Sequence, residues 1–330
     1  MKQVTIIGYH GANNFGDDMM LKSIIAMLEE ANVKINIVGF GEIGWIDPEI
    51  KVGKLLGRKF KKENLALFHE FSRDSDLVIW GGGTCFTDEE GDGFFNFMIR
   101  AKLQGKKIGY YSVGIGALNR LSRKLKTRTL INLSSYVGLR DDTSFEQARQ
   151  YAFFNKKKVE RMEDAANESI LTSVKSHARH QANQDKKKNL LLAWRNLRAY
   201  SKDTTGENFE IIARYALELY REHGMEQITI MDTDSWQDNR VGMKFVEILN
   251  NLEPSIPVIH HTTKDYLEKY GLIAEAGLIL TSRLHVAVCA HYLNIKCLAY
   301  NYSPKIQYFV EECGNPDIVL LEKDLQTRST

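Results

Sequence analysis

Cysteine is scarce in this chain of 330 residues: Cys85, Cys289, Cys297 and Cys313 are all there are, with no CxxC pair among them. That excludes a dense disulfide framework and suits a reducing compartment. Proline is also sparse, five residues, and no tract is compositionally biased. With 43% hydrophobic and 26% charged residues, the chain reads as globular rather than disordered. An excess of one charge sign is missing too. Forty-four basic residues against 42 acidic ones leave a net charge of +2, so no global field steers the molecule onto nucleic acid, and no such partner is expected. No run approaches about 20 uninterrupted apolar residues, so no transmembrane helix is expected. The apolar run in MKQVTIIGYHG stops at Gly8, short of the longer apolar region and cleavage site of a signal peptide. A cytoplasmic protein is the expectation.

What is present is a repeated rhythm of short β-branched runs closed by glycine or charge and followed by helical spacing. Val4–Ile7 leads into a loop and a helix over Met19–Glu30. Val33–Val38 follows, then Leu77–Trp80 stopping at Gly81-Gly82-Gly83, Ile108–Val113 closed by Gly114-Ile115-Gly116, and Tyr136–Leu139 closed by Arg140-Asp141-Asp142. A polar stretch, SVKSHARHQANQDKKK, interrupts the pattern. The rhythm then restarts: strands at Leu190–Ala193, Ile228–Met231, Val258–Ile259, Leu278–Leu280 and Cys297–Tyr300, and helices at Phe209–Arg221, Val241–Leu249 and Thr263–Glu275. Strands alternating with helices predict parallel sheets covered on both faces. The fold class is therefore α/β: two Rossmann-like, doubly wound domains, residues 1–175 and 189–330, joined by a linker at 176–188 and facing each other across a cleft. Ligands of such sheets bind outside the carboxyl ends of the strands, so the strand ends carry the candidate site residues.

The first is the loop Gly8–Asp18, with Asn14 and Asp17. It can offer an anion the free N–H groups of a helix, and either side chain can equally serve as a helix cap. It does not match the G-x-G-x-x-G dinucleotide fingerprint. At Gly81-Gly82-Gly83-Thr84, the glycines Gly82 and Gly83 permit a substrate to approach the backbone closely, or form a tight turn. Arg140 is a clamp for carboxylate or phosphate, or else a salt-bridge partner of Asp141 or Asp142. Ser282-Arg283-Leu284-His285 stands where the strand Leu278–Leu280 turns into a helix, with Thr281-Ser282 as turn and cap. A cation buried there needs an anionic partner, and Lys305 follows the next strand. Cys289 lies one helical turn past His285 but among small apolar residues that mark it as packing. His260-His261 lacks zinc-pair spacing, and no metal set is visible. The acidic loop Asp88–Gly93 lacks a full calcium-loop spacing and reads as solvated. The basic runs at 58–62 and 156–158 are solvated surface, or a peripheral contact with an anionic membrane face.

Taken in order, Gly11 with Asn14-Phe15-Gly16-Asp17-Asp18, Leu77–Gly83, Gly114-Ile115-Gly116, Leu139-Arg140-Asp141 with Ser144, Ser282–His285 and Tyr302-Ser303-Pro304-Lys305 give the chain a family likeness. It resembles the bacterial polysaccharide pyruvyl transferases over nearly its whole length. The resemblance implies a GT-B-like fold and transfer of the enolpyruvyl group of phosphoenolpyruvate onto two hydroxyls of a sugar or lipid-linked oligosaccharide. A ketal forms and phosphate leaves; no cofactor is expected, and no metal need is evident because the cationic side chains already supply the positive charge. It further implies donor-binding or catalytic roles for Arg140, His285 and Lys305, and a place for Asp17 in the acceptor or acid–base apparatus. From the chemistry of the residues, His285 is the first choice for acid–base work and Asp17 the second, with Arg140, Arg283 and Lys305 as the cations for the donor. Asn14, Ser282, Gly82 and Gly83 are the remaining substrate-binding candidates. Two other readings stand beside it: a GT-B glycosyltransferase using a nucleotide sugar, and a non-catalytic two-lobed protein that binds an anion or glycan. Segments 194–200 and 232–238 match no motif, and the oligomeric state is open.

Overall fold

The computed structural model describes residues 2–57, 62–88, 91–154, 156–178, 188–197 and 209–321. The chain divides into two compact units: unit 1 comprises Met1–Ala12 and Asp17–Ser169, and unit 2 comprises Asn13–Gly16 and Ile170–Thr330. Each unit is built on one parallel sheet.

In unit 1 the strands are β1 (Gln3–Ile7), β2 (Lys34–Gly39), β3 (Lys51–Lys54), β4 (Leu77–Phe86), β5 (Lys107–Ile115), β6 (Tyr136–Leu139) and β7 (Val159–Arg161), in the order β3-β2-β1-β4-β5-β6-β7. In unit 2 they are β8 (Asn189–Ala193), β9 (Gln227–Met231), β10 (Val258–His261), β11 (Leu278–Thr281), β12 (Cys297–Tyr300) and β13 (Ile318–Leu321), in the order β10-β9-β8-β11-β12-β13. The helices, in chain order, are α1 (Phe15–Glu30), α2 (Lys62–Ser72), α3 (Phe95–Leu103), α4 (Leu121–Leu133), α5 (Asp142–Tyr151), α6 (Ala166–Ala178), α7 (Phe209–Glu222), α8 (Asn239–Leu252), α9 (Tyr266–Ala274), α10 (Leu284–Leu293) and α11 (Pro304–Cys313). Strand order thus reverses direction between β1 and β4 in one sheet and between β8 and β11 in the other. Doubly wound folds bind their ligands at such points.

The central strands are mostly apolar because helices cover both faces: every residue of β11 is buried, and so are Leu190–Ala193 of β8, paired in register from Leu278↔Leu190 to Thr281↔Ala193. Helix α7 buries a stripe, Ile212, Ala213, Ala216, Leu217 and Leu219, at helical spacing. Helix α10 differs, with Val286 to Ala290 buried without a break, as expected of a helix enclosed by α9, α11 and the sheet.

The expected strands are all present, and several elements differ in extent. Strand β4 runs on through Gly81-Gly82-Gly83 to Phe86. Gly82 and Gly83 take the left-handed φ values +73° and +75°, and a Cβ on Gly82 would lie 2.5 Å from the Met20 sulfur. Glycine is needed there because α1 crosses directly over the strand. Helix α1 begins at Phe15 rather than Met19, with the Asn14 side-chain oxygen accepting from the Gly16 amide at 3.2 Å. Helix α9 begins at Tyr266 rather than Thr263, because Asp265 caps it through the Leu267 amide at 2.7 Å. Strands β3, β7 and β13 are additions. Of the expected linker 176–188, residues 176–178 close α6, and 179–187 lie outside the described residues.

Candidate functional site

Unit 2 assembles its polar residues at the β8/β11 reversal. The Ala193 carbonyl at the end of β8 accepts from the Ser282 amide at 3.1 Å and from the Thr281 hydroxyl at 2.8 Å, and the Ser282 hydroxyl in turn accepts from the Arg195 amide at 3.0 Å. Ser282 therefore ties the two strand ends together and does not cap α10. The residue preceding that helix is Arg283, whose amide is held by the Thr281 hydroxyl at 2.9 Å.

This stitching places Arg195 beside Tyr302, which follows β12. An Arg195 N–H donates to the phenol oxygen at 3.1 Å, and its guanidinium carbon lies 5.5 Å from the ring centroid. The Lys305 ammonium sits 5.6 Å from the same centroid and also hydrogen-bonds the phenol. Tyr302 is only 5% exposed. Its burial alone would raise the phenol pKa, but Lys305, Arg195 and Arg283 outweigh burial and leave it lowered. Three cations thus favour negative charge at one buried spot.

Arg283 is anchored by a short ion pair to Asp238. Burial opposes its charge, yet Asp238 and Asp234 more than compensate, so its pKa is raised. Its buried Nε has no hydrogen-bond partner among the described residues, a donor that a bound anion would satisfy. The other Asp238 oxygen accepts from the amides of Thr233 and Asp234 and from the Thr233 hydroxyl, at 3.1, 3.0 and 2.8 Å. Asp234 accepts from the Trp236 and Gln237 amides and the Gln237 side chain, and at 3.4 Å from Asn14. The Asn13–Gly16 segment is held in unit 2 by the fully buried Lys269, whose ammonium donates to the carbonyls of Asn13 at 2.5 Å and Thr233 at 3.1 Å. Gly16 lies directly against His285: a Cβ there would be 2.0 Å from the imidazole Nδ1.

In unit 1, Arg140 emerges from β6 with its side chain 7% exposed. It donates to Asp164 at 2.8 Å and to the Thr84 hydroxyl at 3.0 Å. Burial would lower its pKa, but Asp164 foremost, then Asp141 and Asp17, leave it raised. Neither aspartate expected as its salt-bridge partner forms the pair. Asp141 caps α5 through the Ser144 amide at 2.8 Å, and Asp142 pairs with Arg161 at 2.6 Å. Gly83 faces Asp17, with 3.2 Å from its ideal Cβ to the carboxylate. In the acidic loop, Asp88 accepts from the Asn119 and Arg120 amides and Asp92 pairs with Lys126 at 2.6 Å, while Glu89 and Glu90 lie outside the described residues. Cys289 is buried and its thiol pKa pushed up by that burial. His260 is bound to Asp232 at 2.7 Å.

His10, in unit 1, is fully buried, and neither ring nitrogen has a hydrogen-bond partner among the described residues. Burial lowers its pKa to about 4, with the Asp17 backbone acting in the opposite direction. The unfolded chain binds a proton here near pH 6.5 and the folded one does not. Stability is therefore complete above that value, falls as pH drops, and has lost about 3 kcal/mol once pH is below about 4. Urea unfolding at pH 7 and pH 4.5 is expected to show this loss, and His10→Leu to flatten it. An equal slope in the variant would remove His10 as its source.

The residues that the sequence did not single out, Arg195, Asp238 and Asp164, all stand after strand ends or in the loop 232–238. Position at a carboxyl end was the available signal for Arg195.

No curated protein matches the chain. Among solved structures it is similar to UDP-GlcNAc 2-epimerase from Neisseria meningitidis bound to UDP-GlcNAc, with 16% identity, 99% of this chain and 88% of that one covered, and a TM-score of 0.65. It is likewise similar to S. aureus MnaA solved with UDP, with 12% identity, 99% and 86% covered, and a TM-score of 0.68. At such identities the likeness concerns the fold, which is GT-B-like, with two parallel-sheet α/β domains. The family model for polysaccharide pyruvyl transferase matches residues 14–304, spanning the Asn14 turn, Arg140, Arg195, the Ser282–His285 run and Tyr302. On that match the chain belongs to the polysaccharide pyruvyl transferase family.

Proposed function

We propose that the protein transfers the enolpyruvyl group of phosphoenolpyruvate onto two hydroxyls of a saccharide, forming a pyruvate ketal and releasing phosphate. The observation that carries this reading is the set of Arg195, Arg283 and Lys305 around the buried Tyr302 phenol, with His285 on the first turn of α10. A small donor bearing both phosphate and carboxylate needs several fixed cations, and preorganised charge stabilises it most where water is excluded.

In this scheme an acid protonates the methylene carbon of the donor, and positive character develops at the adjacent carbon. One acceptor hydroxyl attacks that carbon and phosphate departs with its bonding electrons. The second hydroxyl then closes the ketal; of the two hydroxyl protons, one replaces that lost by the acid and the other leaves with phosphate. His285 is proposed as the acid–base group, with Asp17 as a second such group and Arg140 as a further anion ligand. Ser282 is proposed to act by holding the Arg195 amide, and Asn14 by its tie to Asp234. Gly83, which faces Asp17, is proposed as a backbone contact, and Gly82, covered by Met20, as the residue that lets α1 approach.

Calorimetry with phosphoenolpyruvate, UDP-sugars and CDP-sugars tests the reading, together with phosphate release over a panel of saccharides. Binding of phosphoenolpyruvate and acceptor-dependent phosphate release are expected. Binding of a nucleotide sugar alone would replace the reading with a glycosyltransferase, and binding without phosphate release would leave a sensor.

A further inference from the structure

Helix α4 presents its apolar residues to solvent. Its inner face buries Thr127, Leu130 and Ile131, while Leu121 and Leu125, one turn apart, are 71% and 53% exposed and Leu133 continues outward. Next to it, Phe154 is 95% exposed and Phe153 is stacked under Arg128, whose guanidinium carbon lies 4.5 Å from its ring centroid. The Phe154 amide donates to the Asn132 side chain at 3.1 Å, fixing both phenylalanines to the C-terminal half of α4. Among the described residues of unit 1, five of the seven exposed large apolar side chains lie between residues 121 and 154. A cluster of this kind marks a contact surface, whereas scattered ones do not.

Along α4 itself the charge is of one sign. From Arg120 through Ser134 the sequence has Arg120, Arg123, Lys124, Lys126 and Arg128 and no acid. Of these five, Arg123 and Lys126 pair with Asp92. Beyond Phe154, Lys156, Lys157 and Lys158 are all exposed. Lysine is depleted from the centres of protein interfaces, whereas leucine and phenylalanine flanked by arginine and lysine are what an interfacial helix offers to headgroups. No described helix is long and apolar enough to cross a membrane, and this arrangement does not need one.

We propose that the α4 face with Phe153, Phe154 and Lys156–Lys158 binds an anionic lipid bilayer. Flotation of the full chain, without any substrate, on vesicles of equal parts phosphatidylglycerol and phosphatidylcholine is the test. Binding is expected there and not on phosphatidylcholine alone. Leu125→Glu and Phe154→Ser are each expected to weaken it about tenfold, the scale of losing one buried large apolar side chain. Replacing Lys156, Lys157 and Lys158 by glutamine should cost about fivefold per charge at low salt and little at high salt. Melting curves like the wild type's would show that the variants fold. The proposal is overturned by absence of binding to the anionic vesicles or by unchanged binding in both sets of variants. It is equally overturned if light scattering shows wild-type self-association that the same variants abolish.

Discussion

Replacement of His285 by alanine is expected to cut phosphate release from phosphoenolpyruvate by about a hundred- to ten-thousand-fold, the usual span for loss of an acid–base group, while leaving the thermal unfolding curve in place. The side chain sits on the first turn of α10, ahead of the run Val286 to Ala290 that holds the helix in the core. The imidazole also packs against Gly16, so an unchanged unfolding curve is what separates loss of the proposed acid–base group from loss of packing. A companion variant makes the same point from the opposite side. Gly16→Ala would put a methyl 2.0 Å from the imidazole Nδ1, so the ring must leave its place, and activity should fall although His285 itself is intact. Near-wild-type turnover in the alanine variant would dismiss His285 from the mechanism.

The second large effect falls on stability. Arg283→Ala removes the partner of Asp238, a carboxylate 1% exposed and close in charge to Asp234. Leaving a buried charge uncompensated costs about 3–5 kcal/mol, readable as a lowered urea midpoint at pH 7. The double replacement Arg283→Met with Asp238→Asn should recover part of that loss, since it is the stranded charge that is costly. The sign with pH is distinctive. Burial already raises the Asp234 pKa against the pull of Arg283, and the single variant loses that pull, so it should regain relative stability as pH falls through the raised value. A loss below about 1 kcal/mol, typical of exposed pairs, would show that Asp238 finds another partner.

Much of the fold was legible because central parallel strands are continuous apolar runs ended by glycine or charge, as in Leu190–Ala193 and Leu278–Leu280. What escaped had weak local signals. Strand β7 is three residues long, and β3 reads Lys-Val-Gly-Lys with no apolar run. The glycines of β4 look like a stop because glycine usually punctuates, yet here they admit α1. The Ser282–His285 run was legible as a strand-end constellation. Its support was not: Arg283 meets Asp238 across 45 residues and Arg195 meets Tyr302 across 107. Pairings at such separation leave no periodicity to read. The same holds for Arg140, whose partner Asp164 lies 24 residues on, past the two nearer aspartates.

The distribution of sulfur has a practical corollary. Cys85, Cys289 and Cys297 are enclosed, with burial holding their thiols protonated, and the reactive species is the thiolate. Only Cys313, at the far end of the helix that opens with Pro304-Lys305, is partly accessible. The native polypeptide therefore carries one address for a maleimide dye, a single reporter on the lysine-bearing helix installed without mutagenesis.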